Sequence, residues 1–167
     1  MKRNITANKH ENAAKIFIIL FCIIGIIYMV VHIFYDSVLK FARRIRAYNK
    51  LLTDWIYYSF DGEKFEKVLT KKHMKNIAIY GIGSVGELFY RAIENSNINV
   101  VCFIDKGTND PEGINHIPVI SLDCYEWTGN VDAVLVTPVF DIDDITKDLV
   151  EIGVPAKKIV SLEKIVG

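Results

Sequence analysis

The chain has little of what would organise a small fold through covalent or metal crosslinks. Its three cysteines, Cys22, Cys102 and Cys124, have no short repeat spacing, and their odd number argues against a disulfide framework. Each lies in or beside apolar sequence, so they read as reduced thiols facing a cytosolic compartment. The four histidines, His10, His32, His73 and His116, include no pair at a metal-ligand spacing, so no metal site is expected. Net charge is missing too: 20 basic and 20 acidic residues cancel, and nothing points to a nucleic-acid surface. Length sets a further limit, because 167 residues hold one ordinary domain and an appendage but not the two-domain body of a typical dehydrogenase.

Chemistry-bearing groups are also scarce. The C-terminal part has no Tyr-x-x-x-Lys pair to provide the hydroxyl and ammonium of a short-chain reductase. Asp141, Asp143 and Asp144 crowd a helix start, where their charge favours the helix dipole. Asp123 and Cys124 have no base beside them. No nucleophile and base pair emerges, and no catalytic residue is expected.

What is present begins with "IFIILFCIIGIIYMVVHIFY", Ile16 to Tyr35, a run without a formal charge. As a helix it would be about 30 Å long, the thickness of a bilayer core. A cleavable signal peptide has a shorter apolar core and a small-x-small site at its end, whereas this run ends in His-Ile-Phe-Tyr, so a retained anchor is expected. Lys2, Arg3, Lys9 and Lys15 precede it, and Lys40, Arg43, Arg44, Arg46 and Lys50 follow it. The excess of one basic residue on the C-terminal side, with the reduced thiols, orients the chain with its C-terminal part in the cytoplasm of a plasma (inner) membrane. Lys40, Arg43, Arg44 and Arg46 either contact anionic lipid or serve as ordinary topogenic charge.

Beyond the span, Val38, Phe41, Ile45, Tyr48, Leu52 and Trp55 recur at steps of three and four, one stripe of a helix. The stripe packs on the downstream domain or pairs two copies of the chain through residues 38–55. "DGEKFEKVLTKKH", from Asp61, predicts a short bridging helix. From Asn76 onward strands and helices alternate, as in a parallel sheet covered on both faces. The expected strands are 76–80, 99–105, 117–121, 131–137 and "KIVSL". The expected helices carry Val85, Leu88, Phe89, Ala92 and Ile93 on one face, and Ile142, Ile145, Leu149 and Ile152 on the other helix's face behind an Asp141 N-cap. The organisation is a tail (1–15), a transmembrane helix (16–35), an amphipathic helical linker (36–74) and a small α/β domain (75–167), a Rossmann-like parallel sheet of order 3-2-1-4-5.

"IAIYGIGSVGELF" places a Gly-x-Gly-x-x-Gly run between the first strand and its helix. Gly81 would permit the tight turn, Gly83 would let a pyrophosphate approach the backbone, and Gly86 would let the helix pack on the sheet. Ser84 and Val85 would offer backbone N–H groups at the helix start. Asp105, nineteen residues after Gly86, stands where a carboxylate accepts from a ribose 2'-hydroxyl, which favours NAD over NADP unless Lys106 offsets the charge. Thr137 and Pro138 would border the same crevice. The alternative is an empty fold, with the glycines making a close strand-helix turn and Asp105 capping the loop after it.

"KNIAIYGIGSVGELFYRAI", "VVCFIDK", "IPVISLD", "VDAVLVTP" and "KIVSLEKIV" together resemble a small Rossmann-like domain of bacterial surface-polysaccharide biosynthesis. The likeness is to the first nucleotide-binding domain of membrane nucleoside-diphosphate-sugar dehydratases and polyprenyl sugar-phosphate transferases, and it covers Lys75 to Gly167. It implies a membrane-associated module that binds NAD(P) or a nucleotide sugar and partners a glycosyltransferase or nucleotide-sugar enzyme. The catalytic half of the larger enzymes has no counterpart, so an accessory or regulatory role is expected. Two alternatives stay open: a reductase, epimerase or dehydratase subunit completed by a partner or a second copy, and a non-binding structural protein.

Overall fold

The computed structural model describes residues 2–60 and 65–166; the side chains of residues 2–14 and 60 lie outside the described set, and with them Lys2, Arg3, Lys9 and His10. One helix, α1 (Lys2–Phe60), takes in the expected tail, the span and most of the linker. The chain divides into two compact units, Met1–Ile45 and Arg46–Gly167. In the first, every side chain from Ile16 to Tyr35 is exposed, Phe17 and Phe21 by 75% and 79%. A soluble core helix would bury such a face, and this helix is long and apolar enough to cross a membrane.

The second unit begins earlier than residue 75, because the end of α1 belongs to its core. There the predicted stripe holds at Tyr48 and Trp55, but Leu51 takes the place of Leu52. Leu51 is buried at 1% exposure, with Tyr48, Trp55 and Tyr58 packed against the same cluster, while Leu52 is 37% exposed. Val38, Phe41 and Ile45, in the first unit, stay exposed. Residues 61–64 of the bridging segment lie outside the described residues; the rest forms α2 (Phe65–Lys71), whose Phe65 and Leu69 are buried. Phe65 takes Trp55 and Phe89 edge-on, with ring centroids 4.9 and 5.2 Å away, a geometry the aromatic quadrupole favours.

The sheet has six strands: β1 (Asn76–Tyr80), β2 (Asn99–Asp105), β3 (Asp110–Ile114), β4 (Ile117–Ser121), β5 (Ala133–Val136) and β6 (Ile159–Ser161). Their order is β3-β4-β2-β1-β5-β6, which differs from the expected 3-2-1-4-5 by one added edge strand. That strand, β3, has the composition of a loop, and it is antiparallel to β4 whereas every other pairing is parallel. A two-residue connection of Asn115 and His116, both at positive φ (51° and 66°), joins β3 to β4, the backbone that primed hairpin turns require. The central strands β1 and β5 are almost wholly buried, as strands covered on both faces must be.

Two helices follow the expected pattern. In α3 (Ser84–Ile93), Gly86, Phe89, Tyr90 and Ile93 face the core, while Leu88, expected on that face, is 50% exposed. In α4 (Ile142–Glu151), Ile145 and Leu149 are buried, and Gly153 at φ 93° ends the helix with left-handed backbone. Asp141 stands at the N-cap of α4 but makes no capping bond through its side chain. A last short helix, α5 (Glu163–Val166), lies on the same apolar layer as α1, α2 and α3; α4 covers the other. Lys50 of α1 pairs with Asp54 at 2.7 Å and with Glu163 of α5 at 3.1 Å. Those carboxylates hold its ammonium above its ordinary pKa.

Asp132 ties the sheet together at its lower end. Its Oδ2 accepts the backbone N–H groups of Lys75 (2.9 Å) and Asn76 (2.8 Å), and these bonds, Asn76's first, hold its carboxyl below the ordinary carboxylate range. A depressed folded pKa gives stability that is present above the unfolded value and lost as pH falls through the folded one. Asp132→Asn is therefore expected to cost about 1 kcal/mol at neutral pH and to flatten the loss of stability below about pH 4. Urea titrations of both proteins, followed by the fluorescence of Trp55 and Trp127, check this; parallel pH profiles would exclude the role.

Candidate functional site

The carboxyl ends of β1, β2 and β5 meet at the glycine turn. After Tyr80 the ladder continues for one more step: Gly81 N–H donates to Ile104 O (2.8 Å), and Thr137 N–H donates to Tyr80 O (3.1 Å). Gly81 then turns with φ 94°, and a Cβ there would meet Thr137 Oγ1 at 2.8 Å and the Pro138 ring at 2.9 Å. Glycine is therefore required twice over, by the backbone and by the close approach of β5. Gly86 is required for space alone, because a Cβ would stand 2.0 Å from the Gly81 carbonyl oxygen.

Gly83 is different. Its backbone is extended, φ −68° and ψ 179°, which any residue adopts, and a Cβ on it would meet nothing within 4 Å. It is the N-cap of α3 and gives no side-chain cap. The first turn of a helix leaves backbone N–H groups without intrahelical partners and carries the positive end of the dipole. The fold does not need a glycine at this position, so the open approach to that helix start is its distinguishing property.

A cleft of about 380 Å³ lies at this position, lined by Gly83, Ser84, Val85 and Gly86 from the turn, Thr137 and Pro138 from the end of β5, and Tyr48 and Leu52 from α1. Six of the eight were expected at a crevice. Tyr48 and Leu52 were not, since both were assigned to a packing stripe and lie about thirty residues before the glycines. Thr137 lines the cleft, but its buried hydroxyl bonds the Tyr80 and Gly81 carbonyls at 3.0 and 3.2 Å, so it supports the turn.

Neither Asp105 nor Lys106 is among the residues that line this cleft, and the two turn apart. Asp105 Oδ2 accepts the Ile82 N–H at 3.0 Å, which fastens the glycine loop to the end of β2. Lys106 turns to the other face of the sheet, where its Nζ pairs with Asp148 Oδ2 at 2.7 Å, and that carboxylate raises its pKa. There it lines a second cleft with Asp123 and Glu151 and takes no part in the first. Nearby, burial raises the pKa of Tyr80, with Lys106 opposing and Asp148, Asp105 and Asp141 adding to the shift.

All three cysteines are free thiols, Cys102 buried and Cys22 and Cys124 exposed. Burial pushes the Cys102 thiol up to about 11, which leaves it without the thiolate a nucleophile needs. Among the described residues, no three His, Cys, Asp or Glu side chains form a group that could hold a metal ion.

The family model C2185-like, N-terminal, matches residues 73–160, more than half of the chain, from just before β1 to within β6. The chain belongs to that family. The match contains the glycine turn, Asp105 and Thr137, and it excludes Tyr48 and Leu52. No curated protein matches the chain.

Proposed function

We propose that the second unit binds a nucleotide, NAD in preference to NADP or else a nucleotide sugar, at the Gly83 cleft. The observation that carries this reading is Gly83 itself: a glycine that neither backbone nor packing demands, open at a helix N-terminus in a cleft. The phosphates would lie against the backbone of Gly83, Ser84 and Val85. Asp105, with Oδ2 on Ile82, would accept a ribose hydroxyl on Oδ1 and would repel a 2'-phosphate. The module would be accessory or regulatory, anchored in a plasma membrane by Ile16 to Tyr35 with its sheet in the cytoplasm. The resemblance of the sheet segments to surface-polysaccharide enzymes supports a glycosyltransferase or nucleotide-sugar enzyme as partner, and the exposed Val38, Phe41 and Ile45 would suit a helical partner or a second copy.

Calorimetric titration of the full chain in detergent micelles with NAD, NADP, coenzyme A and nucleotide sugars tests the reading. NAD or a nucleotide sugar is expected to bind with a Kd below 1 mM, and Gly83→Val is expected to abolish binding with unfolding unchanged, since its side chain enters open space. No heat from any ligand at millimolar concentration would sink the proposal.

One observation favours a second reading, in which the Rossmann-like unit serves as a non-binding scaffold. Asp105 and the Thr137 hydroxyl are both engaged within the protein, holding the glycine loop. On that reading Gly83→Val changes neither stability nor partner binding, and the same titration separates the two.

A further inference from the structure

Tyr48 and Leu52 stand one helical turn apart on α1, at i and i+4, so their side chains form one continuous wall of the cleft. The neighbouring Leu51 is buried in the core at 1% exposure, whereas Leu52 is 37% exposed. That wall faces a space whose remaining sides are Val85, Pro138 and the glycine turn. On the side of β5, a group attached to a phosphate at Gly83 would rest on carbon. The Thr137 hydroxyl already donates within the turn.

We infer that Tyr48 and Leu52 are specificity-determining contacts of the cleft, and that they select a diphosphate whose β5-side arm ends in a flat ring over one whose β5-side arm is a polyhydroxylated hexose. The inference rests on the phosphate reading of the glycine turn. A flat ring buries its faces against Leu52, Val85, Pro138 and the tyrosine ring, and loses little by leaving water. Each hydroxyl of a hexose set there would give up a water partner and meet an apolar surface. Because α1 also carries the membrane-length apolar run, the ligand would touch the same helix that holds the chain to its membrane.

Titration of the full chain in micelles with NAD and with a uridine diphosphate hexose tests this. NAD is expected to bind at least about tenfold more tightly than the sugar nucleotide, and Leu52→Ala to weaken NAD by about tenfold. Ile56→Ala, an exposed position on α1 outside the cleft, is expected to leave the affinity unchanged. Leu52→Asn, which keeps most of the bulk and adds a donor and an acceptor, is expected to shift the preference towards the sugar nucleotide, a change no purely structural role would produce. Tryptophan-monitored unfolding confirms that each variant is folded. If NAD binds and the Leu52 variants match the parent in affinity and preference, or if the sugar nucleotide binds as tightly as NAD, the inference is overturned while the nucleotide site stands. If the parent chain binds neither, both readings fall.

Discussion

Replacing Gly86 with alanine is expected to destabilise the second unit by about 3 kcal/mol, although the same change at an exposed helical position typically adds about 1 kcal/mol of stability. The sign is decided by one distance. An alanine Cβ would stand 2.0 Å from the Gly81 carbonyl oxygen, and that oxygen is backbone, which cannot rotate aside as a flexible side chain would. Relief requires α3 to lift from β1. Phe89 and Ile93, both at 0% exposure, would then lose contact with the sheet. The Gly81 turn would move too, and with it the hydroxyl bond from Thr137. Urea unfolding followed by the fluorescence of Trp55 and Trp127, both in the second unit, measures the change without interference from the apolar run Ile16 to Tyr35, which contains no tryptophan. Gly83→Ala is the internal comparison, expected within about 0.5 kcal/mol of the parent because its Cβ meets nothing. Equal stabilities for the two variants would remove the argument that the glycines have different roles.

A chain shortened to begin at residue 61 is expected to lose cooperative unfolding altogether. The α/β segment by itself looks complete, since all six strands lie beyond that point. Its apolar layer is not. Leu51 is buried, and Trp55 packs against Phe65 and Phe89 with ring centroids 4.9 and 6.3 Å away. Burial of one such side chain stabilises by about 1.5 to 3 kcal/mol, and the total stability of a domain this size is only about 5 to 15 kcal/mol. Removing Leu51 and Trp55 together, and exposing Phe65, Leu69 and Phe89 beneath them, approaches that total. The graded form of the prediction is Leu51→Ala in the full chain, at about 2 to 5 kcal/mol. Trp127 fluorescence reads both. A sharp, parent-like transition in the shortened chain would show that residues 46–60 are an appendage and that the cleft has no need of its α1 wall.

The parts of the fold that could be read from residue order are those governed by local rules. β1 and β5 announced themselves as unbroken apolar runs, because strands covered on both faces have no polar side to interrupt them. In α4, Ile145 and Leu149 followed the helical period onto the buried face. α3 was legible with two errors: Leu88 and Ala92 fit the period as well as their neighbours do, and only the position of the helix on the sheet turns Tyr90 inward and leaves those two outward. β3 was not legible. Asp110, Pro111, Glu112 and Gly113 have the composition of a loop, and an exposed edge strand has no buried face to impose a pattern. Pairing with β4 makes it a strand.

The candidate site divides in the same way. Turn chemistry placed Gly81 and Gly86 in their roles, because a positive φ and a close helix-strand approach are demands that short stretches state openly. The stripe on α1 was equally plain as a period, but a period does not say which neighbour covers it. Packing kept Tyr48 and Trp55 on the core side but buried Leu51 in place of Leu52, leaving Leu52 at the cleft. It also carried Lys106 to Asp148 on the far face, although the chain numbers it beside Asp105. Lys106 lies just beyond the last residue of β2, where the ladder no longer sets its direction, so neighbours in sequence need not share a face. Periodicity and glycine spacing therefore specified the elements and the turn. The cleft that residues 48, 83 and 137 line together arises only when those elements pack, since no local interaction spans such separations.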